Sequence, residues 1–120
     1  MELVQQPKAL EFQWHDVRFF VRARATAEDR FEINLLYDVD KAQEGKVVVP
    51  RRALYLTLIE RFVKGWEGVT QDGQAVPFTL DSLKRLPADQ EDDVILYLGS
   101  FILNNTGLFV TREDGEKKKG

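Results

Sequence analysis

The stretch Leu10-Glu11-Phe12-Gln13-Trp14-His15-Asp16-Val17-Arg18-Phe19-Phe20-Val21-Arg22-Ala23-Arg24 sets the character of the first half of the chain. Leu10, Phe12 and Trp14 alternate with Glu11, Gln13 and His15; Val17, Phe19, Val21 and Ala23 then alternate with Arg18, Phe20, Arg22 and Arg24. An extended backbone sends successive side chains to opposite faces, so each run offers one apolar and one polar face, the pattern of a half-buried strand. Strands are expected over about residues 9–15 and 17–25.

The next stretch admits two readings. Thr26-Ala27-Glu28-Asp29 has the form of a helix start, with Thr26 as N-cap and acids in the first turn. Against it, Phe31, Ile33, Leu35, Tyr37 and Val39 alternate with Glu32, Asn34, Leu36, Asp38 and Asp40. A helix would scatter the first set around its circumference. The alternation therefore favours a third strand over about 31–39, with 26–30 as the turn of a hairpin.

The second half reads as helical. Residues 46–49 form a short extended run, and Pro50 suits a first helical turn, where its missing N–H costs nothing. Over about 51–64, Leu54, Tyr55, Leu58, Ile59, Phe62 and Val63 gather on one side of a helical wheel and Leu56 joins the edge. The resulting arc covers roughly 200°, about twice the ~100° stripe of an ordinary surface helix. Gly65 is expected to stop it. Asp72-Gly73 signals a tight turn in a small hairpin near 67–77, Thr79 can cap a short helix over 80–86, and Pro87 ends it. The last helix, about 89–104, opens with Asp89, Glu91, Asp92 and Asp93, where the positive end of the helix dipole favours anions, and is apolar nearly all round thereafter. The expected fold is α+β: N-terminal antiparallel strands packed with C-terminal helices, in one domain over 1–111 followed by a charged flexible tail, 112–120.

The totals bound the function. The chain has 120 residues, 43% hydrophobic and 31% charged, the size and composition of one globular domain. A formal net charge of −3 argues against general nucleic-acid binding. Without cysteine there are no disulfides, thiolate nucleophiles or Cys-based metal sites, which fits a reducing compartment. No secretory signal is visible at the start, and the longest apolar run, 94–98, is far short of the ~20 residues that span a bilayer, so a cytoplasmic protein is expected.

A search for chemistry yields little. His15 is the single histidine and Ser82 and Ser100 are the only serines, neither within a G-x-S-x-G turn. His15 beside Asp16 reads as a solvated strand-end residue rather than an acid–base pair, since strand neighbours point to opposite faces. Asp38-Val39-Asp40 begins like a calcium loop, but Ala42 and Gln43 stand where an oxygen ligand and a glycine belong. The glycines match neither phosphate-binding pattern. Asn104-Asn105-Thr106 matches a glycosylation triplet by chance at a helix end. No catalytic residue, metal or cofactor is expected.

Surface for binding is the positive signal. The two long helices carry more apolar arc than a small two-layer domain needs to cover. Leu56, Val63, Leu96, Tyr97 and Leu103 are candidates to be covered by another chain, or are core; Trp66 is core or an interface anchor. Arg18, Arg22 and Arg24, with Phe20 among them, form a basic face suited to an acidic partner surface, or simply the solvated face of a strand.

The string Phe62-Val63-Lys64-Gly65-Trp66-Glu67-Gly68-Val69, then Asp72-Gly73, then Val76-Pro77-Phe78-Thr79, resembles a pattern of small proteins of tailed-phage tail modules, above all tail assembly chaperones. The likeness continues through the next two helices and covers about the second half of the chain; the β-rich first half has no counterpart in it. It implies a non-catalytic protein that binds the tape-measure protein, keeps it soluble and helps recruit tail-tube subunits during morphogenesis in the host cytoplasm. A homo-oligomer is compatible with the same surfaces. The alternatives are a small structural subunit of the tail or head–tail joint, present in the virion, and a host-directed inhibitor that uses the arginine-bearing strand.

Overall fold

The computed structural model describes residues 1, 8–38, 41–42, 44–46 and 48–108; the expected charged tail, 112–120, and Val39 and Asp40 of the calcium-like stretch lie outside the described residues. Strand β1 (Leu10–Trp14) and strand β2 (Val17–Val21) form an antiparallel hairpin in the register Leu10↔Val21 to Trp14↔Val17. His15 and Asp16 make its two-residue turn, and His15 adopts a left-handed φ of 51°. The expected strand 17–25 ends at Val21; Arg22 N–H still donates to Phe62 O beside the Val21–Val63 pair, and the chain then leaves the sheet, with Ala25 N–H donating to Thr106 O.

Residues expected as a third strand, 31–39, instead belong to helix α1 (Ala27–Tyr37). The capping box decides it. Thr26 Oγ1 accepts from Asp29 N–H while the Asp29 carboxylate accepts from Thr26 N–H, so two donors that a helix start leaves orphaned are satisfied together. The apolar alternation persists, and in a helix it sends Ile33 and Tyr37 inward and Phe31 and Leu35 outward.

The third strand of the sheet comes from another place. Helix α2 (Arg51–Phe62) follows Pro50, which sits at the N-cap rather than inside the first turn, and runs without a loop into strand β3 (Val63–Glu67). Gly65, expected to stop the helix, is a strand residue opposite Phe20. Strand β3 pairs antiparallel with β2, giving the order β1-β2-β3, and the register slips between Phe20 and Val21, where Val21 faces Val63. The α+β class holds, with the third strand supplied by 63–67.

A small hairpin follows: β4 (Thr70–Gln71) and β5 (Gln74–Ala75) about Asp72-Gly73, both with positive φ as a primed hairpin turn requires. Helix α3 (Leu80–Leu83) is shorter than the expected 80–86 and is capped by Thr79 Oγ1, which accepts from Ser82 N–H. Helix α4 (Ala88–Asn105) extends the expected 89–104 by a residue at each end.

The inner face of the sheet packs on α2 and α4. Phe19 and Val21, Leu54, Leu58, Ile59 and Phe62, Val63 and Trp66, and Val94, Ile95, Leu98 and Ile102 form one continuous buried cluster, joined by Ile33, Leu83 and Leu108. Helices α2 and α4 approach closely at Gly99, where a Cβ would lie 2.4 Å from the Tyr55 ring.

Candidate functional site

The residues singled out as partner-binding divide between core and surface. Val63 and Trp66 are buried. The Trp66 indole packs edge-on against Phe19 and Phe78 and donates Nε1–H to Val76 O at 2.7 Å. Within the 62–79 string, Trp66, Val76 and Phe78 therefore fasten the small hairpin to the sheet. Gly68 belongs to the same fastening: its φ is +97° and a Cβ would meet Asp16 O in the β1–β2 turn. Leu56 and Leu103 are half-buried against the core. Leu96 and Tyr97 do reach solvent, the latter half-exposed, with its ring stacked on Trp14 at 5.4 Å. Leu96, Tyr55 and Ile95 line a shallow groove bordered by Arg51, Arg52 and Asp92.

The three arginines do not make one basic face. Arg18 stands on the outer sheet face between Glu11 and Glu67, 3.9 Å from each carboxylate. Arg24 is exposed. Arg22 turns inward: its guanidinium lies 4.3 Å above the Phe62 ring and makes a forked pair with Asp29 at 2.8 and 2.9 Å. Arg61 Nε–H donates to the same carboxylate at 2.5 Å, and its other arm reaches Glu32. Burial alone would raise the Asp29 pKa. The Arg22 guanidinium, the Thr26 N–H and Arg61 outweigh it and hold the carboxyl well below the usual range. Arg61 is raised in turn, chiefly by its hydrogen bond to Asp29.

The Asp29 cluster is a latch. It joins the start of α1 to the end of β2 and to α2, while Tyr37 at the other end of α1 hydrogen-bonds Thr57 Oγ1 and donates to Ala53 O. The acids opening α4 serve similarly, since Arg52 of α2 reaches Glu91 at 2.8 Å and Asp92 at 2.6 Å. His15 is exposed in its turn, with its ring edge-on to Trp14.

Among the described residues, several exposed apolar side chains lie where no contact was expected. Phe31, Leu35 and Leu36 of α1 are 64%, 70% and 66% exposed. Reading 31–39 as a strand hid Phe31 and Leu35, because it put them beside Ile33 on the buried face, and left Leu36 isolated on the polar face. The Thr26-x-x-Asp29 capping box, followed onto a helical wheel, would have revealed them. No helix among the described residues is long and apolar enough to cross a membrane. No family model, curated protein or solved structure matches the chain.

Proposed function

We propose that the protein is a tail assembly chaperone of a tailed phage or a close relative, which binds the tape-measure protein during tail morphogenesis without catalysis. The observation that carries this reading is apolar surface held open on rigid helices: Phe31, Leu35 and Leu36 on α1, with Leu96 and Tyr97 on α4. Isolated exposed apolar residues are ordinary, whereas several on one latched helix mark a surface that another chain covers. A long helical partner rich in apolar residues is suited to such a face. The 62–79 string supports the assignment to phage tails, as a resemblance of sequence.

The test is co-expression with the tape-measure protein of the same genome. The chaperone reading expects the tape-measure protein to stay soluble and to co-purify with this chain, and finished particles to lack the chain by mass spectrometry. Stoichiometric presence in purified virions would replace it with a structural subunit of the tail.

A further inference from the structure

Helix α1 is built inside out. Its buried residues are an acid and one large aliphatic, Asp29 and Ile33, while Phe31, Leu35 and Leu36 face solvent. Ordinarily the apolar stripe of a surface helix docks it onto the core and charges face water. Here ionic and hydroxyl bonds from Arg22, Arg61 and Thr57 do much of the docking. The outward apolar side chains are left for something else.

The charge around them indicates what. On the helical wheel Glu28 and Glu32 border the Phe31–Leu35 stripe on one side; Ala27 and Asn34 lie on the other, with Arg30 farther round. Glu28 is exposed, Glu32 is half-exposed beside Arg61, and Asp38 forms the C-cap. The last turn holds no basic residue, so the negative end of the helix dipole has no cation from its own helix. A second copy is a poor match. Antiparallel packing of two such helices about this stripe would set the Glu28–Glu32 side of one against the same side of the other, like charge against like.

We propose that the outer stripe of α1, formed by Phe31 and Leu35 with Glu28 and Glu32 along one side and Leu36 beyond them, receives an amphipathic helix of a partner protein whose apolar stripe is flanked by lysine or arginine. The latch at Asp29 and the Tyr37–Thr57 bond hold α1 in place before the partner arrives, so little ordering cost falls on this side of the interface. This deepens the chaperone reading, on which it rests for the identity of the partner but not for the chemistry of the surface.

The experiment uses two synthetic helical peptides that share one leucine stripe, flanked in one by lysine and in the other by glutamate. The full chain is expected to bind the lysine peptide at least tenfold more tightly, with the preference shrinking as salt is raised. Phe31→Ser/Leu35→Ser should lower affinity for the lysine peptide at least tenfold while thermal unfolding is unchanged, since both side chains are exposed. Glu28→Lys should narrow the preference between the peptides. Equal binding of both peptides, preference for the glutamate peptide, or full affinity in the double variant would overturn the proposal. So would a wild-type dimer that the double variant converts to monomer, because the occupant would then be a second copy. A protein that prefers the lysine peptide but fails to capture the tape-measure protein would overturn the tail assignment and support this surface. Undiminished tape-measure capture by the double variant would overturn the surface and leave that assignment standing.

Discussion

Asp29 is the residue on which the N-terminal half turns. Its carboxylate accepts from Thr26 N–H at 2.7 Å, from the Arg22 fork and from Arg61, while its own N–H donates to Thr26 Oγ1. Three segments of chain thus converge on one side chain that is 3% exposed. Asp29→Asn keeps the shape but removes the charge that two guanidinium groups face. Because those arginines retain some solvent, the expected cost is about 2–3 kcal/mol, below the larger losses of fully buried pairs, and urea unfolding at neutral pH measures it. The folded-state pKa is depressed below the unfolded value of about 3.9, so the unfolded chain takes up this proton first as pH falls. The stabilisation from Asp29 is therefore complete above that value and declines as pH drops through and below it. Wild-type stability should fall more steeply below about pH 4 than that of Asp29→Asn, and unfolding at a series of acid pH values checks the difference in slope.

Among the elements, α2 and α4 carry the core, and their crossing depends on a missing side chain. Gly99 lets the Tyr55 ring lie against the α4 backbone, 2.4 Å from where a Cβ would be. Gly99→Ala should cost about 1–3 kcal/mol despite alanine's better helix propensity, because the ring must leave its site. The double variant with Tyr55→Ala should cost less than the sum of the single changes, which a thermodynamic cycle measures. The sequence makes these two helices legible through their wide apolar arcs, and the β1–β2 hairpin through its alternation, since both signals lie within the element itself. Helix α1 was not legible as such. Its capping box was visible, but the contacts that hold Asp29 in place come from Arg22 and from Arg61, the latter 32 residues away. Strand β3 was hidden because Val63 continues the wheel of α2 and Gly65 reads as a helix stop. Of the candidate site, the sequence left Leu96 and Tyr97 open between core and surface, and both reach solvent, whereas the α1 face was lost with the helix that carries it.

Across the whole molecule, the direct passage from α2 into β3 ties helical phase to sheet register. Val63 N–H still donates to Ile59 O while Val63 already faces Val21. An alanine inserted between Phe62 and Val63 would either rotate α2 by about 100° against α4 or exchange the faces of Trp66 and Gly65. Neither can be absorbed by a linker. The insertion is expected to abolish a cooperative thermal transition and to shift Trp fluorescence toward that of solvated indole, whereas a glycine added in the Asp72-Gly73 turn should leave the transition intact. Strand β2 sits at the centre of the sheet, with one neighbour joined by a two-residue turn and the other separated by the chain between Val21 and Val63. During synthesis the first ribbon can therefore form early and wait, its inner edge unpaired, until the ribosome has delivered α2 and β3. That interval is when strand-to-strand association between nascent chains competes with completion of the sheet. Slow translation of the segment between the two strands would lengthen the exposure and lower the soluble yield, with no change in the stability of the finished molecule.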